Sequence, residues 1–181
     1  MIRSAGIDLA GNPKNKTGFC ILEVNAGKWV FTKTLLSDCE IIAELEKAKP
    51  NIVAIDAPIT FSGKNRLCDI ELHEYGALPV TLRGMEVLAV RGSELAKELS
   101  NFKLIEIYAT ATAKILGFYD KNEKKVQKAL LNSGIKGDIE TRFLTKDELD
   151  AIFAAMTGYL HLEGMTEEKG GEDGKIVVPR V

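Results

Sequence analysis

The chain has 181 residues, of which 45% are hydrophobic and 28% charged, with a formal net charge of −2 at pH 7. This length suits one domain with a sizeable core, and the small negative charge excludes a general attraction to nucleic acid. The sequence contains no apolar stretch long enough to span a membrane and no signal peptide, which predicts a cytoplasmic protein without a membrane partner. Its cysteines do not have the spacing of a zinc site or of a disulfide framework.

The first third of the chain predicts three strands, a helix and a fourth strand. Residues 2–9, 17–24 and 28–35 are extended apolar runs, and Asn25 to Lys28 between the last two is typical of a hairpin turn. A helix follows to about Lys49, with its apolar residues on one face. The segment NIVAIDAP, residues 51–58, follows it and is apolar from Ile52 to Ile55, as in a strand buried on both faces.

The remainder of the chain predicts mainly helices. Residues 57–84 form a long connection with one short helical piece, and loops of this length in compact domains are often functional. The further predicted elements are helices over about 85–99, 109–117, 121–132 and 146–162 and a strand over 103–108.

The order β-β-β-α-β-α-β-α predicts an α/β fold with a mixed five-stranded sheet and helices on both faces. We place this domain at residues 1–165. Residues 166–181 form a polar, Gly-rich tail that ends in the apolar run Lys175–Val178, and either an extra terminal strand or a mobile terminus fits this pattern.

Two aspartates occur where predicted buried strands end. Asp8 precedes Ala10-Gly11, and Asp56 precedes Ala57-Pro58. If the fourth strand returns beside the first by a right-handed crossover, their carboxyl ends meet where open α/β sheets bind ligands. Because neighbouring strands lie roughly 4.8 Å apart, the two carboxylates would repel unless a cation neutralised them. Each aspartate alone is also compatible with merely shaping a turn.

The last predicted helix supplies a third acidic group. Thr145 and Glu148 have the spacing of a capping box, which predicts that the helix starts there. At 100° per residue, Asp150 lies on the shoulder of the apolar stripe, whereas Asp147 points further toward solvent. Asp150 is therefore the better ligand candidate, and complementing the helix dipole is the alternative role for Asp147.

Several further residues are candidates for substrate binding. Lys16 lies in the first turn, Arg66 in the long connection and Arg91 on the helix after it, and Glu106 is near the end of the predicted strand 103–108. Each has an ordinary alternative, since scattered basic residues commonly solubilise a surface and Glu106 may pair with a lysine.

With these residues in place, the chain resembles the RNase H-like superfamily. Within it the chain resembles a family of predicted nucleases that is described as a domain of unknown function, and more distantly the RuvC-like resolvases. The resemblance spans nearly the whole chain and rests on GIDLAG with KTG, AIDAPITF, RLCDIEL, RG, EIY and DELDAIFAAMTGYL.

The resemblance implies a metal-dependent nuclease site. Asp8 would bridge two Mg²⁺ or Mn²⁺ ions, Asp56 would bind one of them, and Asp150, with or without Asp147, would hold the other. Asp8, Asp56 and Asp150 are the implied catalytic residues. Lys16, Arg66, Arg91 and Glu106 are our candidates for binding the substrate, which the resemblance implies is nucleic acid.

Two other functions remain open at this stage. One is a non-catalytic module that binds a nucleotide or a protein and keeps the acidic cluster as a structural or regulatory metal site. The other is a phosphotransferase related to sugar kinases and actin, in which GIDLAG and KTG form a phosphate-gripping hairpin. Since that group closes two such domains around a nucleotide, a phosphotransferase would have to be a homodimer.

Overall fold

The computed structural model describes residues 1–180 and confirms the predicted α/β fold. Its eight strands are β1 Ile2–Asp8, β2 Thr17–Val24, β3 Lys28–Leu35, β4 Ile52–Asp56, β5 Leu104–Glu106, β6 Ile135–Gly137, β7 Thr166–Gly171 and β8 Gly174–Pro179. Its seven α-helices are α1 Asp38–Ala48, α2 Leu67–Glu71, α3 Met85–Glu98, α4 Ala109–Ile115, α5 Glu123–Asn132, α6 Asp138–Thr141 and α7 Lys146–Leu162.

The central sheet has the strand order β5-β4-β1-β2-β3-β6. Strands β1, β2 and β3 form the predicted antiparallel meander, and the crossover through α1 brings β4 parallel to β1. The sheet has six strands rather than the five predicted. The additional strand, β6, has only three residues and pairs in parallel with β3, and an apolar alternation is not visible over so short a segment.

Each face of the sheet is covered by its own set of helices, as predicted. Ile41 of α1 and Leu95 of α3 belong to the core on one face, whereas Leu130 of α5 and Phe153 of α7 belong to the core on the other. Because both faces are covered, β1 and β4 are buried along most of their length. Among residues 1–180, the helices lack the combination of length and apolarity that crossing a bilayer requires.

Helix α7 lies directly on the backbone of β1 and β2. A Cβ atom at Gly6 would overlap the carbonyl oxygen of Ala151, and one at Gly18 would overlap the carbonyl oxygen of Asp147. Thr145 caps the helix in the predicted capping box with Glu148. Glycine at these two strand positions therefore allows the first two turns of α7 to lie over the carboxyl-terminal end of β1.

The C-terminal segment forms a hairpin of β7 and β8 rather than a single strand. The predicted run Lys175–Val178 lies in β8, and β7 was not predicted because its sequence, TEEKGG, is polar. The hairpin is anchored to the long connection, where the Leu67 amide donates to Asp173 Oδ2 at 2.9 Å and the Gly170 amide donates to Glu71 Oε2 at 2.7 Å. Ile176 of β8 lines the cleft described below.

Candidate metal centre

The two strand-end aspartates are direct neighbours. Asp8 and Asp56 are register partners at the ends of the parallel strands β1 and β4. In parallel pairing the side chains of register partners point to the same face of the sheet, and the two strands are roughly 4.8 Å apart. The predicted topology therefore does place both carboxylates at one point of the sheet edge.

Helix α7 adds Asp150 to this pair. The Asp150 side chain is only 16% exposed, and its charge acts on both Asp8 and Asp56. Asp147 is half-buried and influences Asp8 and Asp150 through its charge. We call Asp8, Asp56 and Asp150 the aspartate cluster.

The electrostatics of the aspartate cluster show that its negative charges are incompletely neutralised. Burial, together with the charge of Asp150, raises the pKa of Asp8 to about 7. Burial and the charges of Asp8 and Asp150 raise the pKa of Asp56 well above its usual range. Burial also raises the pKa of Asp150, against the opposing effect of Lys146. Such shifts are typical of carboxylates that share a site without sufficient counter-charge.

Lys146 is a further residue of this site, and the sequence motifs did not indicate it. It is the first residue of α7, and its Nζ donates to Asp150 Oδ2 one helical turn later. The available signal was the spacing of four residues within KDELD, which places Lys146 and Asp150 on the same side of a helix.

The aspartate cluster lines a cleft with a volume of about 230 Å³. The long connection and the start of α3 supply an apolar wall, and the segment after β5 supplies Tyr108 and Thr110. The lining side chains of the apolar wall are Pro58, Ala77, Leu78, Met85 and Leu88. The cleft is smaller than the pockets of roughly 300 Å³ or more that hold drug-sized ligands.

A second charged group, which we call the arginine cluster, consists of Arg66, Asp69 and Glu106. The Arg66 side chain is 1% exposed, and its guanidinium donates to Glu106 Oε1 at 2.7 Å and Oε2 at 2.8 Å. It also donates to Asp69 Oδ1 at 2.8 Å and Oδ2 at 3.1 Å. Glu106 is thus paired with an arginine rather than with a lysine, and these residues line the same cleft as the aspartate cluster.

The other two predicted substrate-binding residues lie elsewhere. Arg91 donates to Asp38 Oδ1 at 2.6 Å and to the Ala10 carbonyl, beside the turn after β1. Lys16 is exposed immediately before β2. Among residues 1–180, the side chains that line the cleft include Arg66 and Glu106 but neither Lys16 nor Arg91. A substrate-binding role for the four residues stays a prediction.

The donor chemistry of the aspartate cluster fits a hard divalent cation. Carboxylate oxygens are the ligands that Mg²⁺ and Mn²⁺ prefer, and the cluster carries three carboxylates beside the single ammonium of Lys146. Within residues 1–180, the structure shows no group of three or more His, Cys, Asp or Glu side chains that is already arranged to hold a metal ion. In the aspartate cluster, the Asp150 carboxylate is engaged by Lys146.

Comparisons with known proteins show the fold. The structure of RuvC from T. thermophilus in complex with Holliday junction substrate is 13% identical, with a TM-score of 0.54, and the match covers 97% of this chain and 100% of that chain. Another Thermus thermophilus RuvC structure is 10% identical, with a TM-score of 0.55 and the same coverage. No protein-family model and no curated protein matches the chain. The predicted RNase H-like fold and the distant similarity to RuvC are confirmed.

Proposed function

We propose that the chain is a divalent-metal-dependent nuclease that hydrolyses phosphodiester bonds at the aspartate cluster. The observation that carries this proposal is the position of Asp8, Asp56 and Asp150, three incompletely neutralised carboxylates in one cleft of an RNase H-like fold. Burying carboxylates without enough positive charge nearby costs free energy, and a bound cation would remove this cost. The similarity to RuvC, which was solved with a Holliday junction substrate, supports nucleic acid as the substrate class.

In this proposal Asp8 and Asp56 hold Mg²⁺ or Mn²⁺. Bound ions of this kind activate water and stabilise the negative charge of the phosphodiester transition state. Asp150 and Asp147 add their negative charge from helix α7.

The cleft also guides the choice of substrates for a test. Duplex binding normally needs basic groups along a surface, but the basic residues that line this cleft, Arg66 and Lys146, are both paired with carboxylates. The substrate panel should therefore include unpaired nucleotides beside duplex, RNA–DNA hybrid and four-way-junction substrates, and a small phosphodiester.

The test is cleavage of this panel with Mn²⁺ and Mg²⁺ by the wild-type protein and by Asp8→Asn and Asp150→Asn. The matched control is Glu44→Gln, which removes a carboxylate from a surface ion pair with Lys33. We expect cleavage by the wild type and the control, and its loss in both aspartate variants. Metal binding without cleavage of any substrate would contradict the nuclease proposal and favour a binding module.

A further inference from the structure

Lys146 has an unusual position for a lysine. It is the first residue of α7, where the aligned peptide dipoles make the helix end positive and disfavour a cation. Its partner Asp150 follows four residues later, and a cation placed before an anion is the less favourable order for such a helical pair. Local helix energetics therefore do not explain Lys146.

The surroundings of Lys146 do explain it. Its Nζ donates to Asp150 Oδ2, and the charge of Lys146 also acts on Asp8 and Asp56. The Lys146 side chain is 67% exposed, whereas that of Asp150 is 16% exposed. The lysine thus extends along the rim of the cleft with its ammonium at the helix side of the aspartate cluster.

We infer that Lys146 takes the place of one cation, so that the aspartate cluster binds a single divalent ion held by Asp8 and Asp56. The inference rests on the proposed function of this site. Three carboxylates and one ammonium leave two negative charges, which one divalent ion neutralises. A second divalent ion would have to displace Lys146 from Asp150. The two ions implied by the family resemblance thus become one ion and one lysine.

The test is the number of Mn²⁺ ions bound per chain, measured by isothermal titration calorimetry on the whole protein. We expect one ion for the wild type and for Lys146→Arg, which keeps the charge, and two for Lys146→Met and Lys146→Gln. Lys175→Met is the control, because it removes a lysine from an exposed pair with Glu168 in the C-terminal hairpin. It should bind one ion.

An independent readout is the electron paramagnetic resonance spectrum of bound Mn²⁺. Two ions held by the same carboxylates give a spin-coupled spectrum, which we expect in Lys146→Met and not in the wild type. Circular dichroism checks that the variants fold. Two ions in the wild type, or one in both neutral variants, would overturn the inference while leaving the metal site in place. Absence of Mn²⁺ binding in every protein would overturn the metal site as well.

Discussion

The aspartate cluster and the arginine cluster line the same cleft but differ in how completely their carboxylates are hydrogen-bonded to a cation. In the arginine cluster, all three guanidinium nitrogens of Arg66 donate, and both oxygens of Asp69 and of Glu106 accept. In the aspartate cluster, one lysine faces three carboxylates, and the pKa of Asp8 is raised to about 7, mainly by burial and by the charge of Asp150.

The difference separates a structural role from a functional one. A buried carboxylate whose hydrogen bonds are satisfied holds the fold together, whereas one without enough counter-charge costs stability and is retained for another reason. The arginine cluster joins residue 66 of the long connection to the end of β5, and so fixes the wall of the cleft. The aspartate cluster is left with charge that a ligand can neutralise.

The largest expected effect is the loss of Arg66. Arg66→Met leaves Asp69 and Glu106 buried without their partner, and we expect a loss of about 3–5 kcal/mol in the free energy of unfolding. Urea denaturation followed by circular dichroism measures it. In the double variant Arg66→Met/Glu106→Gln, one buried charge is removed and part of the loss should be recovered. A loss below about 1 kcal/mol in the single variant would mean that the arginine cluster is not structural.

The second prediction concerns activity and rests on the proposed function. We expect Asp8→Asn to lower Mn²⁺-dependent cleavage at least about 100-fold, or about 2.7 kcal/mol in the barrier, because the variant loses a metal ligand. Asp69→Asn, in the arginine cluster of the same cleft, should lower it far less when assayed at a temperature where both proteins are folded. Equal losses in the two variants would contradict the separation of roles.

The third prediction concerns stability and pH in metal-free protein. Burial and Asp150 raise the folded-state pKa of Asp8 from 3.8 to about 7. The folded protein therefore binds the Asp8 proton more tightly than the unfolded protein does. The contribution of Asp8 to the free energy of unfolding is fully present below about pH 4 and is lost as the pH rises through about 7. Asp8→Asn removes this loss.

The Asp8→Asn variant should accordingly have the same free energy of unfolding as the wild type near pH 4 and a value about 1–2 kcal/mol larger near pH 8. At about 1.4 kcal/mol per pKa unit, the difference between 3.8 and about 7 corresponds to about 4 kcal/mol, of which the buried amide recovers part. Thermal unfolding in a chelating buffer measures the difference. Glu148, whose pKa burial would raise but hydrogen bonds from Arg142 lower to about 2, has the opposite pH dependence. Because Glu148 is present in both proteins, its contribution cancels in the difference between Asp8→Asn and the wild type. A difference independent of pH would contradict the prediction.

The sequence was sufficient for the aspartate cluster because each of its members is marked locally. An apolar run that ends at a Gly or Pro turn identifies Asp8 and Asp56, and the helical period places Asp150 beside the buried stripe. The crossover rule then joins the two strands, and the observed register places Asp8 opposite Asp56.

The arginine cluster could not be predicted from local sequence patterns. Arg66 and Glu106 are 40 residues apart, and the burial of Arg66 depends on the C-terminal hairpin, where Gly174 lies against its side chain. The sequence supported only the general expectation that an arginine near a cleft binds substrate. The three residues of β6 likewise become a strand only by pairing with the distant β3, whereas β7 pairs with its neighbour β8 in spite of a polar sequence that lacks apolar alternation.

The smallest expected change in the free energy of unfolding is that of an ordinary surface ion pair, with which the two clusters can be compared. Lys33 and Glu44 form an ion pair at 2.9 Å whose side chains are 43% and 28% exposed. Water screens such a pair, and holding two long side chains in place costs entropy, so Lys33→Met should change the free energy of unfolding by less than about 1 kcal/mol. The same urea denaturation measures it. A loss as large as that of Arg66→Met would show that burial does not distinguish the arginine cluster from an ordinary surface pair, and the contrast between the two clusters would lose its physical basis.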